Sequence, residues 1–115
     1  MKPVYNSDGR VAAVIHRGCL YNPDGDWIGF LRGAEVFDTM GVYLGYLSGD
    51  RRLLRARRAP RRELSPLPAP ARLASIPEWF PLAPMFQQLT HSLIEVFEEE
   101  PGRFRHAAET RPDMD

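Results

Sequence analysis

The first part of the chain repeats with a period of sixteen residues. Cut from Val4 without gaps, it reads VYNSDGRVAAVIHRGC, LYNPDGDWIGFLRGAE and VFDTMGVYLGYLSGDR. Each copy has an aromatic residue second, Asn or Asp third and glycine sixth. A fixed internal period of this kind predicts that each copy folds as one small unit and that the units stack on a shared core.

The repeated Asn/Asp-x-x-Gly block predicts a tight turn. Asn or Asp suits the first turn position because its side chain can accept hydrogen bonds from the backbone that follows, and glycine readily adopts the left-handed conformation that closes the turn. We therefore predict that three structural turn glycines, Gly9, Gly25 and Gly41, occupy equivalent positions.

Strand-like segments flank these turns, rich in β-branched and aromatic residues, and a second glycine turn follows each longer strand. Ala13, Gly29 and Gly45 share one column inside the longer strands. A small residue inside a strand indicates that another backbone or a bulky ring comes close. The strands carry apolar residues on both faces, so we expect both faces to be covered, by a neighbouring hairpin, by the C-terminal segment or by another subunit.

The predicted fold class is therefore mainly β, a pseudo-symmetric repeat of about four hairpins in residues 1–58. The fourth copy is degenerate. A strand is expected around Arg52–Ala56, but Arg57 stands where the turn glycine should be and Pro60 follows. We expect only the first strand of this unit to form and to pair back onto the set.

The second half of the chain has a different character. Residues 59–83 are rich in proline and predict an extended, polyproline-like connector, anchored by Leu64, Leu67, Leu73 and Ile76. Apolar residues at helical spacing predict an amphipathic helix over 84–101, ended by Pro101 and Gly102. Residues 102–115 are polar and are predicted to be a disordered tail.

The chain has 15 basic and 15 acidic side chains, so its net charge favours neither nucleic acid nor membrane. The charges are nevertheless segregated: residues 51–62 carry seven arginines and no acid, and acids predominate afterwards. The arginines pair with the acidic C-terminal part in one interpretation and bind phosphates in the other. Candidate partner-binding residues are Arg51, Arg52, Arg55, Arg57, Arg58, Trp79 and Phe80.

Candidates for chemistry are few. Cys19 and His16 could form a nucleophile pair, but no His or Cys residues stand at metal-ligand spacing, and the glycines mark turns rather than a phosphate loop. We predict no catalytic residues, no metal and no cofactor. One cysteine and the absence of a signal-like or membrane-spanning segment predict a cytoplasmic protein without a membrane partner.

The repeated pattern from Tyr21 to Leu31, and its echo from Phe37 to Leu47, resembles the four-fold β-flower domain of mainly bacterial proteins. The resemblance covers about residues 3–58. It implies four short hairpin units around a pseudo-four-fold axis, in a family without an established activity, so it transfers no catalytic residues. The chain departs from the pattern at Met40, which replaces the turn aspartate, and at the lost fourth turn.

These observations predict a non-enzymatic β-repeat module that serves protein interaction or self-assembly. Apolar strand faces and a proline-rich arm that could cover a neighbour motivate this prediction. The alternative is an accessory protein that binds nucleic acid through the basic run from Arg51 to Arg62.

Overall fold

The computed structural model describes residues 1–104, in which eight strands form one antiparallel sheet. The strands are neighbours in chain order: β1 (Lys2–Tyr5), β2 (Val11–His16), β3 (Cys19–Tyr21), β4 (Trp27–Arg32), β5 (Glu35–Asp38), β6 (Tyr43–Leu47), β7 (Leu53–Ala56) and β8 (Leu93–Glu95). This confirms the mainly β fold of consecutive short hairpins. Most of the predicted tail, residues 105–115, lies outside the described residues.

The three turn glycines occupy equivalent positions, as predicted. The N–H groups of Gly9, Gly25 and Gly41 donate to the carbonyls of Asn6, Asn22 and Asp38 at 3.0, 2.9 and 3.0 Å, with φ of 90°, 92° and 87°. Met40 does not disturb its turn, because the Asp38 carboxylate accepts hydrogen bonds from the N–H groups of Met40 and Val42, both at 2.9 Å. The turn is therefore set by its first residue and its glycine.

The column of small residues marks close backbone approaches, also as predicted. A Cβ atom added at Gly45 would lie 2.2 Å from the Leu54 carbonyl oxygen, and one added at Gly29 would lie 2.4 Å from the Phe37 carbonyl oxygen. No real Cβ contact is that short, so a larger side chain would force neighbouring strands apart.

Every unit contributes to one interior. Each hairpin supplies at least one buried apolar side chain from its first strand and at least one from its second. The resulting core cluster consists of Val4, Ala13, Leu20, Ile28, Val36, Leu44, Leu53, Ile94 and Val96. A single hairpin is at best marginally stable in water, so sharing this interior is what makes the units fold.

The fourth unit is complete, which corrects the expectation that only its first strand forms. β7 pairs with β6 on one side and with β8 on the other, in the register Leu54↔Glu95, Arg55↔Ile94 and Ala56↔Leu93. The second strand thus comes from residues 93–95, after the chain has left the sheet at Arg57. An unpaired edge at β7 would leave backbone N–H and C=O groups without hydrogen-bond partners, and residues 93–95 supply these partners.

The helix predicted over 84–101 is wrong in its extent. Residues 84–92 are not helical, Leu93–Glu95 form β8, and the only α-helix in residues 1–104 is α1 (Val96–Glu99), followed by a 3-10 turn at Pro101–Phe104. Pairing with β7 overrides the helical spacing, because Ile94 and Val96 then both point into the core. None of the helices in residues 1–104 has the length and apolar character needed to cross a bilayer.

The last unit is fastened to the first by a buried carboxylate. Glu95, only 2 % exposed, accepts a hydrogen bond from the Ser7 N–H at 2.6 Å and caps α1 by accepting from the Glu98 N–H at 3.0 Å. The Tyr5 N–H also donates to the Arg51 carbonyl at 2.8 Å. These contacts close the circle of four hairpins.

We expect Gly45→Ala to lower the free energy of unfolding by about 3 kcal/mol, the upper range for overpacking, because its Cβ would collide with the Leu54 carbonyl and its φ is +154°. Gly49→Ala is the matched control, since an added Cβ there meets no described atom within 4 Å. Urea denaturation of both variants measures the difference. Equal stability of the two would contradict the close approach of β6 and β7.

We expect Glu95→Ala to lower the free energy of unfolding by about 3 kcal/mol, because it leaves the Ser7 and Glu98 N–H groups without their acceptor. Glu95→Gln keeps one acceptor oxygen, so its loss should be smaller. Glu78→Ala, at an exposed position, serves as the control and should change stability by less than about 0.5 kcal/mol. Urea unfolding that ranks the Ala variant no lower than the control would rule out a closing role for Glu95.

Candidate interaction surface

The chain between β7 and β8 passes over the turns of the hairpins, and we call residues 59–92 the arm. The Leu64 N–H donates to the Gly41 carbonyl at 2.8 Å, and the Leu73 N–H donates to the Gly25 carbonyl at 3.0 Å. Ala83 then lies beside Gly9, with its Cβ 3.9 Å from where a Gly9 Cβ would be. The arm therefore visits the three equivalent turns in reverse order.

Side chains pin the arm beside these turns. Arg62 forms a two-pronged ion pair with Glu35, at 2.6 and 2.9 Å, and its guanidinium lies 4.6 Å from the centre of the Tyr43 ring. Arg72 binds the Asp26 carboxylate at 2.8 Å. Further along, the Tyr5 hydroxyl donates to the Pro81 carbonyl at 2.5 Å. The arm is thus held at several points along its length.

Burial along the arm has a period of three. From residue 67 to residue 76 every third position is half-buried and the positions between are exposed, and after Phe80 the same period resumes. The half-buried positions are Leu67, Pro70, Leu73, Ile76, Phe80, Ala83, Phe86 and Leu89. This period is typical of a polyproline II helix, which has three residues per turn. Of the four predicted anchors, Leu67, Leu73 and Ile76 are half-buried, whereas Leu64 is 39 % exposed and is held through its backbone.

One side of the arm presents large apolar side chains to solvent. Trp79, Leu82 and Met85 are 78 %, 95 % and 98 % exposed and follow one another at three-residue spacing. We call these three residues the outer stripe. Sequence reasoning singled out Trp79 but missed Leu82 and Met85, although the three-residue spacing was the signal. Phe80, the other predicted aromatic contact, is half-buried and faces the domain instead.

An apolar groove runs beside the outer stripe, between the arm and the first hairpin. Its volume is about 560 Å³, and its lining includes Tyr5, Val11 and Val14 on the sheet and Ile76 and Phe80 on the arm. Trp79 and Leu82 also border this groove. The groove and the outer stripe therefore share Trp79 and Leu82, and Glu78 also lines the groove.

Arg52, a predicted partner-binding residue, is buried at 4 % exposure and has a structural role. Its guanidinium binds the Asp50 carboxylate at 2.9 Å and the Gln87 carbonyl at 3.0 Å. It also donates to the Ser7 hydroxyl at 3.2 Å and lies 4.5 Å from the centre of the Phe86 ring. Arg52 therefore joins the first turn, the entry to β7 and the end of the arm, and it is not a free cation.

Most other arginines of the basic run also have partners within the chain. Arg51 donates from Nε to the Pro3 carbonyl at 2.7 Å, and Arg55 forms a two-pronged pair with Glu100 at 2.8 and 2.6 Å. Arg57 binds Glu99 at 3.2 Å, whereas Arg58 is exposed. The interpretation in which the basic run pairs with the acidic C-terminal part accounts for Arg55 and Arg57. These internal pairs leave less positive charge for phosphates.

Cys19 and His16 face each other across the two-residue turn between β2 and β3 and line a common cavity with Tyr21 and Arg72. Burial raises the pKa of the Cys19 thiol, an effect that Arg32 and a hydrogen bond with Tyr21 only partly offset. A raised pKa disfavours the thiolate, which is the nucleophilic form. The two side chains are therefore neighbours, but the raised pKa of the thiol counts against a Cys–His nucleophile pair. Within residues 1–104, no cluster of three or more metal-ligating side chains is formed.

Comparison with known proteins agrees with the hairpin architecture. A family model described as "4-fold beta flower protein" matches residues 2–53. A search of curated proteins and a search of solved structures found no match. The matched segment ends at the first residue of β7, so the arm, β8 and α1 lie beyond it.

The Arg55–Glu100 pair predicts a specific pH dependence. Hydrogen bonds from Arg55 hold the pKa of Glu100 below its usual value of 4.5, so the stabilisation is present above that pH and is lost as pH falls through the lowered value. We expect Glu100→Gln to be about 1 kcal/mol less stable than wild type at pH 7, and we expect this difference to shrink as pH falls below 4.5. Urea unfolding at pH 7 and at acidic pH, with Glu78→Gln as control, tests this, and a difference that does not shrink at acidic pH would contradict it.

Proposed function

We propose that this protein, whose residues 2–53 match the model of the 4-fold beta flower family, is a non-enzymatic interaction module whose contact surface is the outer stripe. The hairpin domain is the scaffold in this proposal, and the arm is the part that meets the partner. The observation that carries the proposal is the strong exposure of Trp79, Leu82 and Met85 on an arm whose other exposed residues are mostly small, polar or proline.

Exposed apolar residues scattered singly need no explanation, but a row of three does. Large apolar side chains on one line cost free energy in water, and contiguous apolar patches mark interaction sites. Trp79 supports this further, since tryptophan is among the residues that contribute most binding energy at interfaces. The neighbouring groove beside Tyr5 and Val14 extends the apolar surface onto the sheet.

The way the arm is held also favours binding. A segment that orders only on contact loses conformational entropy at that moment, which reduces its affinity. The backbone bonds at Leu64 and Leu73, the Arg62 and Arg72 ion pairs and the Tyr5–Pro81 bond fix the arm beforehand. The partner therefore meets a pre-ordered row of side chains.

The basic run supports the nucleic-acid alternative less well, because Arg51, Arg52, Arg55 and Arg57 are engaged within the chain. In this proposal, self-assembly and binding to a different protein use the same exposed stripe. Analytical ultracentrifugation of the purified chain distinguishes the two. The cytoplasm is the proposed compartment, on the basis of the single cysteine.

The test compares wild type with a variant that carries Trp79→Ser, Leu82→Ser and Met85→Ser. Each protein is used for affinity capture from cells that express it naturally, the captured partner is purified, and direct binding is then measured. We expect the triple variant to bind the purified partner at least tenfold more weakly. Analytical ultracentrifugation of the wild type detects self-association that depends on the same residues.

Met40→Ser is the matched control, because Met40 is also a large exposed apolar residue, 67 % exposed, but lies on the third hairpin turn. It should bind as wild type does. Binding that survives in the triple variant, or the absence of both a partner and self-association, would overturn the proposal. Urea unfolding of all three proteins verifies that the substitutions leave the fold intact.

A further inference from the structure

We infer that the partner of the outer stripe binds it through a groove lined by aromatic side chains that recognises polyproline II conformation. This inference rests on the proposed function and specifies the chemistry of the partner. Three features of residues 77–89 support it. These are the lack of hydrogen bonds between backbone groups, the arrangement of the side chains on three sides of the segment, and the absence of basic side chains.

After a bend at Glu78, the backbone of this segment follows a three-residue period and leaves most of its hydrogen-bonding groups without a partner in the backbone. Within residues 1–104, residues 74–89 make no backbone-to-backbone hydrogen bond and belong to no helix or strand. A polyproline II helix has no internal hydrogen bonds and a solvated backbone. Its carbonyl groups therefore remain available to a partner, apart from those of Pro81 and Gln87, which bind Tyr5 and Arg52.

The side chains fall on three sides, as three residues per turn require. One side, consisting of Phe80, Ala83, Phe86 and Leu89, is half-buried against the domain. The second side is the outer stripe. The third side carries Pro81 and Pro84, both exposed, so that Pro81-Leu82-Ala83-Pro84 presents two prolines three residues apart. Two of the three sides are thus open, and they combine prolines with large apolar side chains.

Aromatic-lined grooves bind this combination. Proline-rich segments with two prolines three residues apart dock into grooves of SH3 and WW domains, which exploit the preformed and entropically inexpensive polyproline II helix. From Trp79 to Met85 the arm spans about 19 Å at roughly 3.1 Å per residue. That length suits a short linear ligand.

Other occupants fit the segment less well. Pro81 and Pro84 lack the N–H donors that adding a strand to a sheet would need. Residues 73–90 contain no lysine or arginine and one acid, Glu78, so they offer nothing to phosphates. A second copy would have to be held by three side chains, whereas a stable dimer buries roughly 800 Å² on each partner.

The experiment titrates the full-length chain against a panel of purified SH3 and WW domains, with binding followed by isothermal titration calorimetry. We expect at least one domain to bind and the double variant Pro81→Ala/Pro84→Ala to bind it at least tenfold more weakly. Pro68→Ala is the control, because Pro68 is exposed on the same arm outside the stripe, and it should bind as wild type does.

Two results would overturn the inference: no domain of the panel binds, or binding is unchanged in the double variant. Circular dichroism and urea unfolding check that the double variant keeps its fold, and Leu82→Ser gives a second test that leaves both prolines in place. If binding of a captured partner depends on Trp79 but no SH3 or WW domain of the panel binds, the proposed interaction function is supported and only the proposed class of partner is wrong.

Discussion

The carboxylate of Glu95 holds the fold closed. It lies almost completely buried at the meeting of the last strand, the first turn and α1, and it accepts hydrogen bonds from the Ser7 and Glu98 N–H groups. The first three hairpins, built from residues 2–47, do not complete the circle. The next strand, β7, would present an unpaired edge if β8 were absent. Pairing of β8 with β7 fills that gap, and Glu95 fastens the new strand to the beginning of the chain. Beside it, Arg52 joins Asp50, Ser7 and Gln87 around the same closure.

The course of the arm follows from this closure. Since β8 belongs to the fourth unit but lies far along the chain from β7, residues 57–92 must leave the sheet and come back to its edge. They do so over the turns at Gly41, Gly25 and Gly9, in that order. An extended conformation suits a long path with few residues, and proline stiffens it. The arm therefore covers the turns and part of the outer surface of the first and third hairpins, where it contacts Tyr5, Val14 and Tyr43.

The same geometry sets the functional surface. A polyproline-like segment against a domain buries one of its three sides and leaves two exposed. On most of the arm the exposed sides carry small or polar residues and proline, but at Trp79, Leu82 and Met85 they carry large apolar residues. This difference between the outer stripe and the rest of the arm is the basis for proposing an interaction module and a partner that binds through an aromatic-lined groove. The basic run, which is more conspicuous in the sequence, is largely occupied by Glu99, Glu100 and main-chain carbonyls.

The sequence by itself determined the hairpins, because a tight turn is a local property: Asn22, Asp38 and the glycines that follow them specify it within four residues. It also indicated the close approaches at Gly29 and Gly45 and the extended character of the arm. Only the tertiary structure decided that Leu93–Glu95 form a strand instead of a helix, since the free edge of β7 is a long-range partner that no local pattern records. Likewise, Trp79 and Phe80 are adjacent in sequence, and only packing against the domain decided that the first faces solvent and the second faces inward.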